Sequence, residues 1–227
     1  MSQARHVAFY DFDGTLVSSN IVTRYAFLLR RLPSRARAAW RFTRIFASVP
    51  AYLVLDRYSR RLFNETFFRE YRGMSRAWLE AQAETLFRDA IQPSIYPGAK
   101  ELVDSGREQG YYQVLLTGEL DFVLGPVVRY FGFDRLVSNA LEFEGGVATG
   151  NTAKPLVAED EKVKMMARVC EELGTNLRRA RAYSDSFSDL PMLESAGEPV
   201  AVNPDARLKK VAAARRWPVL DLRAGSQ

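Results

Sequence analysis

Cysteine and histidine are almost missing from this chain of 227 residues, which holds one of each, Cys170 and His6. A lone cysteine can neither close an internal disulfide nor build a thiolate metal cluster, and suits a reducing compartment. A lone histidine excludes Ser-His-Asp triads and histidine-bound zinc. Long apolar runs are also scarce: the one of any length, Ile45 to Leu55, is interrupted by Pro50 and is too short to span a bilayer. The first residues, MSQARHVAFYDF, carry no apolar segment of the signal-peptide kind. The expectation is a soluble, cytoplasmic protein. With no internal repeat or low-complexity tract, a chain that is 47% hydrophobic can bury one good core and a smaller appendage.

Charge is unevenly placed. The net charge is +5 and the pI about 9.4, yet Arg24 to Arg72 hold twelve arginines against three acidic residues, Asp56, Glu65 and Glu70. The remainder is slightly acidic, so this stretch reads as a separate module. On a helical wheel Arg37, Arg41 and Arg44 share one face, opposite Ala38, Phe42, Ile45 and Phe46. Two readings stay open: a solvated arginine face, or a basic surface for anionic substrates or an anionic membrane. Interleaved aromatics such as Trp40, Phe46, Tyr58 and Phe67 are most simply the module's core, and otherwise part of an amphipathic surface that meets lipids. No nucleic-acid motif accompanies the charge, so no nucleic acid is expected.

Periodicity divides the chain in the same way. Residues 18–94 are helical in pattern, broken at Pro33, Pro50 and Gly73, and read as an inserted all-helical cap. From Tyr96 helices and strands alternate: a helix from Gly98 to Gln109, a strand from Tyr112 to Leu116, a helix from Asp121 to Phe131 and a strand from Leu136 to Asn139. A hairpin follows, turning at Gly145-Gly146, then an amphipathic helix from Glu159 to Leu173 and strands at Arg181 to Ser184, Pro199 to Val202 and Val219 to Leu222. Together with a first strand ending at Tyr10, this predicts an α/β protein: a Rossmann-like, mostly parallel sheet in a three-layer sandwich, with residues 1–17 and 95–227 as core.

Chemistry concentrates at strand ends. In VAFYDFDGTL, Val7 to Leu16, an apolar strand runs into two carboxylates at i and i+2. Alternation lets Asp11 and Asp13 point the same way, and Gly14 permits the tight turn that brings backbone N–H groups toward a ligand. Thr117-Gly118, after Gln113 to Leu116, offers a hydroxyl and a backbone N–H for phosphate oxygens. Lys162 near a helix start provides a fixed cation, with Lys154 as an alternative. YSDSFSDLPML, Tyr183 to Leu193, adds Asp185 at another strand end and Asp189 beyond it. Each residue alone has a bland reading as a cap, turn or solvent-facing side chain. Their common placement at carboxyl ends of strands argues for one phosphoryl-transfer site.

With DFDGT at Asp11 to Thr15, LLTG at Leu115 to Gly118, Lys162, SDSFSDLPML at Ser184 to Leu193 and AVNPD at Ala201 to Asp205, the chain resembles the haloacid dehalogenase superfamily, in the subgroup that includes phosphoserine phosphatase. The resemblance implies a magnesium-dependent phosphomonoesterase. Asp11 would be the nucleophile that forms an aspartyl-phosphate, and Asp13 the general acid and base. Asp11, Asp185 and the backbone carbonyl of Asp13 would hold Mg2+. Thr117, Gly118 and Lys162 would bind the transferring oxygens, with Asp189 orienting Lys162 or the metal's surroundings. Asn20 stands where phosphoserine phosphatases carry a substrate-binding glutamate, which weakens a phosphoserine assignment while keeping Asn20 as a substrate contact. Glu119 stands where a small residue is usual, and either meets a substrate ammonium or points away from the phosphate. The substrate expected is a small or lipid-linked phosphomonoester, reached in the second case by peripheral contact of the basic cap with the inner membrane surface. The alternatives are a phosphotransferase to an acceptor other than water, and a non-catalytic protein that uses the basic cap for binding.

Overall fold

The computed structural model describes residues 6–223. The first strand, β1 (Val7–Tyr10), is buried along its whole length because the sheet is covered on both faces. Its alternation feeds two separate cores, Ala8 and Tyr10 on one side and Val7 and Phe9 on the other. After β1 the chain leaves the sheet through α1 (Ile21–Arg30), α2 (Arg35–Tyr58), α3 (Arg60–Phe68) and α4 (Arg76–Leu86), all helical. It then returns as α5 (Ala99–Glu108), β2 (Tyr112–Leu120), α6 (Asp121–Phe131) and β3 (Arg135–Asn139). A hairpin, β4 (Leu141–Glu144) and β5 (Val147–Thr152), precedes α7 (Asp160–Glu172), β6 (Ala180–Ser184) and α8 (Leu190–Ser195). The chain closes with β7 (Glu198–Val202), α9 (Ala206–Arg215) and β8 (Val219–Leu220).

Six strands form one parallel sheet in the order β3-β2-β1-β6-β7-β8. Residues of α5 and α6 pack on one face and those of α7, α8 and α9 on the other, giving the three-layer α/β arrangement expected. Because β1 lies between β2 and β6, the order reverses direction there. A crevice opens at such a switch point, outside the carboxyl ends of β1, β2 and β6.

The stems of the helical insertion pair at its base: Ser18 N–H donates to the Ser94 carbonyl at 2.8 Å, and Tyr96 N–H to Leu16 at 3.0 Å. The hairpin supports the insertion from the core, with Gly73 and Ala148, and Ala148 and Met74, joined at 2.8 Å.

Three local expectations change. Pro50 does not break a helix but lies inside α2, a helix of 24 residues. It sits on the exposed side, where water can take the Phe46 carbonyl that a proline leaves unpaired. Strand β2 runs past Leu116 to Leu120, so Thr117 and Gly118 lie inside it, where its register with β3 shifts. Finally, the arginine face is not simply solvated: Arg41 donates to the carbonyls of Glu70 and Arg72, and Arg44, though exposed, pairs with the Glu70 carboxylate. Trp40, Phe46 and Tyr58 point outward instead, while Tyr52, Phe63, Phe67, Phe68 and Tyr71 are buried in the core that the helical insertion shares with one face of the sheet.

Candidate active site

Asp11 follows directly on β1, its N–H donating to the Tyr183 carbonyl of β6 at 3.0 Å. This ladder bond fixes the residue at the switch point. Asp11 is 7% exposed as a residue, and its carboxylate touches Lys162 Nζ, at 2.7 Å, and the Thr15 hydroxyl, at 3.3 Å. Thr15 also donates to Asp185 Oδ1 at 3.1 Å, so one hydroxyl links the two carboxylates. Burial raises the Asp11 carboxyl to about 6 although Lys162 opposes the shift. Burial and the charge of Asp11 raise Asp185 as well. Two carboxylates this close and this dry are poised for a divalent cation, which would relieve their repulsion.

Gly14 makes this approach possible. Its φ is +82°, and a Cβ there would stand 2.1 Å from Asp185 Oδ2. Asn203 braces the same turn, donating to the carbonyls of Gly14 and Thr15 at 3.2 and 3.3 Å. Among the described residues no three His, Cys, Asp or Glu side chains cluster as a ready metal cage. Two carboxylates supplemented by a carbonyl, phosphate oxygens and water fit Mg2+, which keeps several waters, better than an ion that needs an all-protein cage.

Lys162, in the first turn of α7, is 4% exposed and spans Asp11 and Asp189, the latter at 2.8 Å. Burial works against its charge, but the two carboxylates outweigh it and hold the ammonium protonated. Ser184 donates to the same Asp189 oxygen at 2.7 Å and sets its rotamer. Lys154 lies elsewhere, paired with Glu65 at 2.7 Å on an exposed edge.

Asp11, Asp13, Thr117, Gly118, Lys162, Asp185 and Asp189 surround one cavity of about 40 Å³. Since a single water needs roughly 10–15 Å³, the space holds a few waters or a group as small as a phosphoryl. Thr117 is buried at its wall, its hydroxyl accepting from Glu119 N–H at 3.2 Å. A Cβ on Gly118 would come 2.8 Å from Asn64 Nδ2, so the glycine lets α3 lie close against β2. Asn20 is not brought to this cavity. Its side-chain oxygen accepts from the N–H groups of Val22 and Thr23, both at 3.1 Å, and caps α1 at an exposed position. That corrects the expectation of a substrate contact.

One residue that the sequence did not single out is central. Arg24 of α1 is 1% exposed and donates to Asp13 Oδ1 and to Glu119 Oε2, while also reaching the Ser19 hydroxyl at 3.0 Å. Glu119 therefore belongs to the cavity wall but is already engaged, and burial raises its carboxyl against the pull of Arg24. Arg60 and Asn64 of α3 also line the cavity. The signal for Arg24 was present only as its spacing in α1, where Ile21, Tyr25 and Leu28 share its buried side.

A parallel sheet with a carboxylate and lysine cluster at its switch point defines an α/β enzyme whose chemistry sits at the carboxyl ends of the strands. The family model of haloacid dehalogenase-like hydrolases matches residues 8–194, and the chain belongs to that family. It is 28% identical over 224 residues to a Mycobacterium tuberculosis protein named phosphoserine phosphatase SerB1, covering 95% of this chain and 70% of that one. It is 27% identical over 245 residues to a Neisseria meningitidis histidinol-phosphatase, covering 96% of this chain and all of that one. A crystal structure of a Bordetella pertussis protein of unknown function superposes with a TM-score of 0.82 at 28% identity, over 97% of this chain and 100% of the other. A substrate-bound phosphoserine phosphatase, 18% identical, shares the fold with a TM-score of 0.73 over 98% of this chain and 97% of that one.

Proposed function

We propose that this hydrolase is a magnesium-dependent phosphomonoesterase that works through an aspartyl-phosphate on Asp11. The observation that carries the reading is the convergence of Asp11, Thr117, Lys162 and Asp185 on one phosphoryl-sized cavity. An Asp11 oxygen attacks phosphorus, and the bond from phosphorus to the leaving oxygen breaks. Asp13 gives that oxygen its proton, and then takes a proton from the water that hydrolyses the acyl phosphate and frees Asp11. The Arg24 guanidinium fixes Asp13 by Oδ1, leaving its other oxygen to carry the proton. Lys162 and Thr117 balance charge on the transferring oxygens. Mg2+ held by Asp11, Asp185 and the Asp13 carbonyl would supply neutralisation between an anionic nucleophile and an anionic substrate.

The relatives' names point to phosphorylated amino-acid-like alcohols. The cap supplies Arg60 and Asn64 to the cavity, and the nearby Glu119 is spent on Arg24. A soluble or lipid-linked phosphomonoester without a free ammonium fits this wall better than phosphoserine does. The test is phosphate release with Mg2+ and with EDTA over a panel holding phosphoserine, histidinol phosphate, sugar phosphates and a lysophosphatidic acid, with Asp11→Asn in parallel. Turnover that needs Mg2+ and vanishes in the variant is expected. Turnover that persists in Asp11→Asn, or no turnover on any compound, overturns the reading.

A further inference from the structure

The longest helix of the molecule presents an apolar side to solvent. On α2, Trp40, Phe46, Leu53, Val54 and Tyr58 are all between 66% and 83% exposed, and Val49 is 36% exposed. Successive positions turn by about 100°, which puts Trp40, Phe46, Val54 and Tyr58 on the half of the helix opposite Ile45 and Tyr52, the residues that anchor α2 to the core, with Leu53 at its edge and Val49 nearer the anchored side. Arg37, Arg41 and Arg44 lie on its flank, so between Arg35 and Arg57 the outer side is apolar for roughly 33 Å. Patches of this extent on a single protein are uncommon and mark a surface that meets something.

We propose that the outer face of α2 docks on an anionic lipid bilayer surface. Charge selects that occupant. Arg35 and Arg57 sit at the two ends of the face and Arg37 beside it, all exposed and none in an ion pair among the described residues. Two of the three acidic residues in this stretch are engaged elsewhere: Glu70 is buried under Arg44, and Glu65 is tied to Lys154. A second copy would bring one arginine-flanked face against another, whereas phospholipid headgroups complement the arginines and the acyl boundary accepts the aromatic side chains. No helix of the described residues is long and apolar enough to cross a membrane, so the contact lies in the plane of the interface.

Position adds a second argument. Arg57 and Tyr58, at the end of α2, border a groove of about 560 Å³. Arg60, Ser186 and Ser188 line both this groove and the phosphoryl-sized cavity. Docking through α2 therefore sets the groove's mouth beside the headgroup layer.

Co-sedimentation with vesicles of phosphatidylcholine alone, and of phosphatidylcholine and phosphatidylglycerol in equal parts, reads the proposal without reference to turnover. Sedimentation with the anionic vesicles only is expected, weakening as salt is raised. Each arginine near the surface is worth about fivefold in partitioning, so Arg35→Gln with Arg57→Gln should lower it on the order of twentyfold. Trp40→Ser with Phe46→Ser, both at exposed positions, should lower it at least tenfold with an unchanged melting temperature. Failure to sediment with either vesicle, equal binding to both, or undiminished binding of the Trp40→Ser/Phe46→Ser variant overturns the proposal. So does a concentration-dependent dimer in sedimentation velocity that the same variant dissolves.

Discussion

Replacing Arg24 by methionine tests the buried charge network most directly. Both side chains of the Arg24–Glu119 pair are 1% exposed, whereas Asp13, the other partner, is 23% exposed and can be rehydrated. The perturbation therefore falls on Glu119, left in the interior without a counter-charge. Breaking a buried pair from one side costs about 3–5 kcal/mol. In a chain of this length that corresponds to a fall in melting temperature of roughly 10 °C. The sign with pH follows from Glu119, whose carboxyl burial already raises and which loses the opposing pull of Arg24. A folded carboxyl with a raised pKa holds its proton where the unfolded one has lost it, so the deficit grows as pH rises through the gap. Urea unfolding of Arg24→Met should show a larger loss at about pH 8 than at about pH 5. Arg24→Met combined with Glu119→Met removes both charges and should recover most of the loss. A deficit under about 1 kcal/mol, the range of surface pairs, refutes the reasoning. So does a double variant whose loss equals the sum of the singles.

Three further outcomes are expected. Burial raises Asp11 from 3.8 to about 6, so the metal-free protein should lose on the order of 3 kcal/mol as pH rises between those values. Mg2+ should reverse that trend and Asp11→Asn should flatten it; equal pH slopes of melting temperature for wild type and Asp11→Asn would count against it. Gly14→Ala places a Cβ 2.1 Å from Asp185 Oδ2 at a φ of +82°, and should cost at least about 1–2 kcal/mol while weakening Mg2+ binding in calorimetry; wild-type affinity would contradict the cradle. Asn20→Ala should cost about 1 kcal/mol through the lost helix cap with an unchanged KM, and a raised KM would restore Asn20 as a substrate contact.

The strand-end chemistry was legible in the sequence because it depends on local rules. Alternation along an apolar strand aims Asp11 and Asp13, a glycine permits the turn after them, and an apolar strand that runs into polar residues marks Asp185, whereas Thr117 proved to lie inside β2 rather than past its end. Those rules say which end of a parallel sheet a residue occupies, and a parallel sheet with its order reversing at β1 brings such ends together. The helical insertion was legible for the same reason, since its apolar spacing is local.

Whatever depends on which helix face is covered was decided by the tertiary structure. A wheel groups Arg37, Arg41 and Arg44, and equally groups Phe42, Ile45 and Phe46, without saying which group meets the core. In the fold Arg41 and Arg44 turn to Glu70, and Phe46 turns to solvent. Twelve arginines in one segment look alike by composition. Only the packing of α1 beside the end of β2 sinks Arg24 between two carboxylates. The residue types and their order along the chain set the chemistry available, while long-range packing chose which charges lose their water and so which of them act.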